Sequence, residues 1–371
     1  MGLRQNNSKC ADIVVHWKGQ LDFSGSSECN ASFGFTQVAF LTESENMFCA
    51  KHSLPPVRYD VVARSFDDAI LRRLKALNPP ASAPIGLSWL SLAIDFLSFA
   101  HTEARTLLSN LHLSSDSDDS LAGYLDGALK LLDLCNSISS LVERLRLRRL
   151  SLNFVLQLLA PSDSGFPAPE KLRRARDLLS DLDKPSVGLE KRGFRSSPED
   201  LIRDLALGLG DAPRGKISSA DKLLRRTIHA LGLLTVFFAG VLVSALYGSP
   251  KMAAVRVPAE FSWADSFNAL EAAVSTELTR RFLVKELDDV GTRTRVVREV
   301  IDGMAGVEVD KGRERLNGAV DELKRATEVF SEGLDRLSNG VNGMFQTVLC
   351  SRSGVIENVS VGQRKEKQLP K

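Results

Sequence analysis

The stretch TIHALGLLTVFFAGVLVSALYGSP, Thr227 to Pro250, decides how the rest of the chain is read. From Ile228 to Tyr247, 20 residues pass without Asp, Glu, Lys or Arg. That length spans a hydrocarbon core of roughly 30 Å. In a membrane-spanning reading the segment is carried by Ile228, Leu234, Phe237, Phe238, Leu242 and Tyr247. Lys222, Arg225 and Arg226 precede it, and Lys251 and Arg256 follow. The more basic N-terminal flank then faces the cytoplasm. Against insertion stand His229, Thr235, Ser244, Gly232 and Gly240. The apolar residues contribute only about 0.3–0.6 kcal/mol each, so insertion is marginal. A helix apolar on all sides is equally suited to the centre of a bundle, and a single span would leave long amphipathic neighbours to associate only across the membrane. Both readings stay open, and the unbroken run tips the balance to membrane association.

Working outward, the chain is patterned as helices. SFDDAILRRLKAL (65–77) places Phe66, Ile70, Leu74 and Leu77 on one face, with Ser65 as N-cap and acids in the first turn. Pro79 and Pro80 then end the helix. From residue 87, Leu87, Leu90, Ile94, Leu97, His101, Ala104, Leu108 and Leu111 recur at threes and fours, one face of a long helix. The acidic loop SSDSDDS separates it from residues 121–160, a second helix of roughly 60 Å. Asp126 stands four before Lys130, an exposed pair in the favourable order. Two such helices joined by a short loop predict an antiparallel hairpin, the seed of a bundle. Residues 161–221 turn rich in Pro, Gly, Ser and charge and read as a linker with two short helices. One starts at Pro169. The other has Ser197 as N-cap, Pro198 in the first turn, and Glu199 and Asp200 against the dipole. RSSPED also resembles a proline-directed phosphorylation site, but the capping rules account for every residue in it.

Pro258 opens a further helix through about 290. Leu316, Val320, Leu323, Thr327, Phe330, Leu334, Leu337, Val341, Met344 and Val348 then alternate fours and threes over about five heptads. This stripe either packs inside the protein's own bundle or takes a helical partner through Leu316, Leu323, Phe330, Leu334 and Leu337. Gly318, Gly333, Gly340 and Gly343 weaken a free-standing coil, at about 1 kcal/mol each against Ala, which favours the internal packing. The fold class is all-α, a long-helix bundle with one apolar central or transmembrane helix. Its expected organisation is a poorly ordered segment (1–57), the hairpin (58–160), the linker (161–221), the apolar and C-terminal helices (222–350) and a disordered basic tail (351–371).

Composition narrows the function classes. A net charge of +2 gives no global pull toward nucleic acid or anionic lipid. Five cysteines without a C-x-x-C pair speak against a disulfide framework or a zinc site and suit a reducing compartment. Acids at Asp12, Asp22, Glu28, Glu43 and Glu45 are unlike a transit peptide, and the first 30 residues hold no signal-peptide run. No phosphate loop, dinucleotide fingerprint or zinc-protease motif is present, so no catalytic residue, cofactor or metal is expected. The arginines of ERLRLRRL (143–150) alternate with leucines and lack an aromatic platform, which reads as a salt-bridged helix face and not a nucleic-acid surface. His101 sits on an apolar face, where a lone histidine is usually a packing residue.

The segments SWLSLAIDFLSFAHTEARTLL (88–108), YLDGALKLLDLCNSISSLVERLRLRRLSLNF (124–154) and LLTVFFAGVLVSAL (233–246) resemble the plant BYPASS family. SFDDAILRRLKAL is similar to that family's start, and the resemblance runs over roughly residues 65–350. It implies a non-enzymatic developmental regulator that restrains a root-derived mobile signal able to arrest shoot growth. A plastid name is attached to part of the family, and endomembrane association is also attributed to it. A related branch is linked to secretion through tethering-complex subunits. The expected location is therefore an endomembrane such as the endoplasmic reticulum, facing the cytoplasm, with a cytoplasmic helical adaptor as the alternative. A third reading, a helical-bundle enzyme for an apolar substrate, requires a buried cavity with paired polar groups around His101.

Overall fold

The apolar stripe of the C-terminal third lies along one helix of 58 residues, and its neighbours define the architecture. A computed structural model describes residues 58–77, 84–111, 118–161, 166–183, 197–210, 215–248, 254–280, 284–304 and 309–366. Among them the order is α1 (Tyr59–Lys75), α2 (Leu87–Ser109), α3 (Asp118–Leu158), α4 (Pro169–Asp183), α5 (Pro198–Leu207), α6 (Ala220–Tyr247), α7 (Ala264–Arg280), α8 (Lys285–Asp302) and α9 (Val309–Glu366). The all-α class holds. The expected disordered segment 1–57 lies outside the described residues.

Four long helices form the centre. α9 packs along α2 and α3, and α6 packs along the same two helices. Leu87 meets Gly333 and Ile94 meets Gly340, while Ser98 donates to the Met344 sulfur. The constant sequence offset of these pairs makes α2 and α9 parallel. Arg146 donates to Ser338 and Arg149 to Asp335, so α3 runs antiparallel to α9. His101 meets Thr235 and Phe96 meets Phe238, so α2 runs antiparallel to α6. In chain order the four run up-down-down-up, with α2 and α3 on one diagonal and α6 and α9 on the other.

The predicted antiparallel sense of α2 and α3 holds, but the two face each other across a diagonal. α2 and α3 are sequence neighbours, yet they do not pack along each other. α9 brings a small-residue seam to α2, with Gly333 against Leu87 and Gly340 against Ile94. A Cβ on Gly333 would lie 2.9 Å from the Leu87 Cβ, so the two backbones approach only because that position is glycine. Gly333→Val is therefore expected to destabilise by about 1–3 kcal/mol through overpacking, as read by urea unfolding. Gly343→Ala, with open space at that position, is expected to stabilise by about 0.5–1 kcal/mol.

Around this core α8 packs on α9, α4 on α3 and α8, α5 on α6 and α3, and α1 on α2, α6 and α7. The start of α2 has no side-chain cap of its own. Glu286 supplies one from α8: its Oε2 accepts from the Leu87 N–H at 2.9 Å. Ser197 caps α5 as expected, accepting from the Asp200 N–H at 3.1 Å and donating to the Asp200 carboxylate at 2.8 Å.

Several boundaries differ from the sequence reading. α1 begins at Tyr59, so Ser65 lies inside it and caps nothing. The single helix expected from Pro258 is two, α7 and α8, and α7 starts only at Ala264. Before it, the turn at 258–263 buries Phe261 and Trp263. α9 continues as helix to Glu366, through most of the segment expected to be a disordered tail. Residues 367–371 lie outside the described set.

Candidate functional site

α6 is long and apolar enough to cross a membrane by length and composition, and 89% of its apolar window is buried inside the protein. Leu234, Phe237, Phe238 and Leu242 are buried, whereas Ile228 and Tyr247, at the ends of the run, are half-buried. Phe238 contacts Phe96 at 5.0 Å and Phe237 at 4.9 Å, and Phe237 contacts Phe267 at 4.9 Å. The surface that lipid would cover is covered by α2, α3, α5 and α7, with α1 near its N-terminal end. The basic flank is also engaged. Arg226 forms two hydrogen bonds to Asp67, at 3.2 and 2.8 Å, and donates to the Glu260 carbonyl. Its guanidinium lies 4.0 Å from the Phe261 ring centre. Asp67, expected as a first-turn acid of α1, is instead a buried counter-charge.

The candidate partner stripe is equally occupied. Leu316, Leu323, Phe330, Leu334 and Leu337 are all buried in the protein's own bundle. In this fold they are not presented to a partner. The arginines of 143–150 divide their work. Arg146 pairs with Glu143 on its own helix, while Arg146 and Arg149 also reach α9 and fix its register against α3.

What remains open beside α6 is a cavity of about 450 Å³ between α2, α3, α5 and α6. Leu131, Leu205, Leu231 and Val236 give it apolar walls. Leu209, just after α5, closes one side and sits against Gly232, where an added Cβ would come within 2.3 Å of its side chain. At the mouth Lys130 pairs with Asp126 at 2.8 Å and Arg225 with Asp221 at 3.0 Å.

His101 forms part of the cavity wall. The Thr235 hydroxyl donates its one proton to the Leu231 carbonyl at 2.8 Å. It can therefore only accept from His101, whose Nε2 lies 3.3 Å away. The ring proton is then on Nε2, and Nδ1 is a bare acceptor without a hydrogen-bond partner. Burial pushes the imidazole down to about 3, so it is neutral at physiological pH. The Tyr124 hydroxyl in the same wall is pushed up to about 12, burial outweighing Ser351 and Arg105, so it keeps its proton. The arrangement offers a neutral acceptor and a hydroxyl in a mostly apolar chamber. Among the described residues no group of three or more His, Cys, Asp or Glu could hold a metal ion.

The sign of the His101 shift sets a pH dependence. Between about 3 and the ordinary histidine value of 6.5 the unfolded chain binds the proton and the folded chain does not. Stability is then expected to fall as pH drops below 6.5, by up to about 1.4 kcal/mol per pH unit from this residue. Denaturant titrations of the parent and His101→Gln from pH 7 to 4 should show a shallower loss in the variant.

Comparison with known proteins follows the same helices. The fold is an all-α bundle built round one buried apolar helix. A family model described as Protein ROH1-like matches residues 201–359, from α5 into α9. UPF0496 protein 4 of Oryza sativa subsp. japonica is 37% identical over 240 residues, 61% of this chain and 51% of the rice protein. Protein BPS1, chloroplastic, of Arabidopsis thaliana is 27% identical over 327 residues, 84% of this chain and 87% of its own length. Protein ROH1D of the same plant is 21% identical over 350 residues, 80% of this chain and 87% of its own. These matches make the chain similar to the plant BPS1, ROH1 and UPF0496 proteins. The matched segment spans about half the length of the rice relatives. No solved structure matches.

Proposed function

We propose that this chain is a non-enzymatic plant developmental regulator of the BPS type, working by binding and restraining production of a root-derived mobile signal that arrests shoot growth. The observation that carries the reading is the extent of the match to BPS1: 84% of this chain against 87% of that protein. Similarity on that scale runs through the whole bundle and is not confined to one helix. The regulator sits on the cytoplasmic face of an endomembrane, held peripherally, because inserting α6 would empty the centre of the bundle. Expression in Arabidopsis thaliana lacking BPS1 tests it. Restored shoot growth, with the tagged chain on endomembranes, is the expected result. Failure to restore growth at matched protein level, or a plastid location, overturns the corresponding half of the proposal.

The adaptor alternative keeps its partner stripe on α9, but binding through Leu323 and Leu334 would first require α9 to leave α2 and α3. Its signature would be a complex that forms only when the bundle is loosened.

A further inference from the structure

Nothing in the kinship of this chain assigns a ligand, and the cavity beside α6 supplies the chemistry for one. Three observations converge there. The chamber, about 450 Å³, falls inside the range of roughly 300–1,000 Å³ that small-molecule sites occupy. Its walls are mostly apolar, and its two cationic side chains at the mouth, Lys130 and Arg225, are each matched by a carboxylate. An anionic guest would lose its hydration without gaining an unshared counter-charge. Finally, His101 is 3% exposed and its Nδ1 has no partner, although a buried polar atom left unpaired costs about 1–3 kcal/mol. The Nε2 proton is committed to Thr235, so the missing partner must be a donor.

We propose that this cavity binds a neutral, mainly apolar small molecule carrying a hydroxyl or N–H group, which displaces the side chains covering the buried Nδ1 of His101 and donates to it. The apolar body lies along Leu131, Leu231 and Val236. Leu205 and Leu209 cover it from the side of α5. A carboxylate or phosphate in the ligand is excluded by the same reasoning. The proposal rests on the geometry of the cavity and not on the regulator reading, so either can fail without the other.

The test uses the full-length chain and a matched pair of probes, 1-decanol and its donor-free analogue 1-methoxynonane, followed by isothermal titration calorimetry and thermal unfolding. Decanol is expected to bind saturably and raise the unfolding temperature. The ether is expected to bind about tenfold more weakly, the value of one hydrogen bond of about 1.4 kcal/mol. Two variants separate the contributions. His101→Leu should abolish the preference for the alcohol. Gly127→Leu, which places a side chain at a position lining the cavity 3.8 Å from Leu205 and leaves His101 intact, should weaken both probes. Circular dichroism confirms that each variant is folded, and the parent's own alcohol-to-ether ratio stands if His101→Leu is not. Equal binding of the two probes, no saturable binding of decanol up to its solubility, or decanol binding unchanged in Gly127→Leu overturns the proposal. The last two results leave the cavity as a water-filled packing defect.

Discussion

Asp67→Ala is expected to lower the free energy of unfolding by about 3–5 kcal/mol, because it leaves Arg226 buried without its counter-charge. The side chains concerned are 4% and 12% exposed, so solvent cannot replace the lost partner. Arg226 would retain only the Glu260 carbonyl and the face of Phe261. The Trp263 N–H would also lose the carboxylate 3.4 Å away. Three elements are stapled at this point: α1 by Asp67, α6 by Arg226 and the turn before α7 by Glu260, Phe261 and Trp263. Chemical denaturation of the parent and variant measures the loss. The double variant Asp67→Leu, Arg226→Met should recover most of it, since a fitting apolar pair often replaces a buried ion pair at little cost. A loss below about 1 kcal/mol would mean that the pair behaves as an exposed one.

The second large effect lies in α6. Phe238→Asp is expected to abolish the cooperative fold. The ring is 0% exposed and wedged between Phe96 and Phe237. Deleting a buried phenylalanine alone costs about 3–5 kcal/mol, and an unpaired buried carboxylate adds several more. That total meets or exceeds the about 5–15 kcal/mol by which such domains are stable. A lipid-facing Phe238 would give a different result: the variant would leave the membrane with its helices intact. Circular dichroism and near-ultraviolet signals of purified variant distinguish the two.

Period was the part of the fold that could be read directly. The stripe from Leu316 to Val348 and the face from Leu87 to Leu108 depend only on local spacing, and both are core faces in the structure. Which helix covers which face was not legible. The hairpin expectation assumed that sequence neighbours pack together, whereas α2 is parallel to α9 across 246 positions, through Gly333 and Gly340. Those glycines looked like weaknesses in a coil; two of them are the places where α2 comes close. Arg226 looked like a membrane flank because its partner stands 159 residues away. His101 was marked by its place on an apolar face. Its acceptor role depends on Thr235 and on the Thr235 bond to Leu231, neither of which spacing reveals. Ser65 failed as a cap because an acid after a serine also suits a helix interior when the acid has a buried partner.

The claim on which the rest stands is that α6 belongs to the bundle and not to a bilayer. Microsomes from cells expressing the tagged full-length chain should be extracted with sodium carbonate at high pH. Release of the parent protein into the supernatant is the predicted result, with any membrane attachment peripheral. Retention in the pellet, together with release of a still-helical Phe237→Asp, Phe238→Asp, Leu242→Asp variant, would show that α6 leaves the bundle to cross the membrane, and would contradict the account.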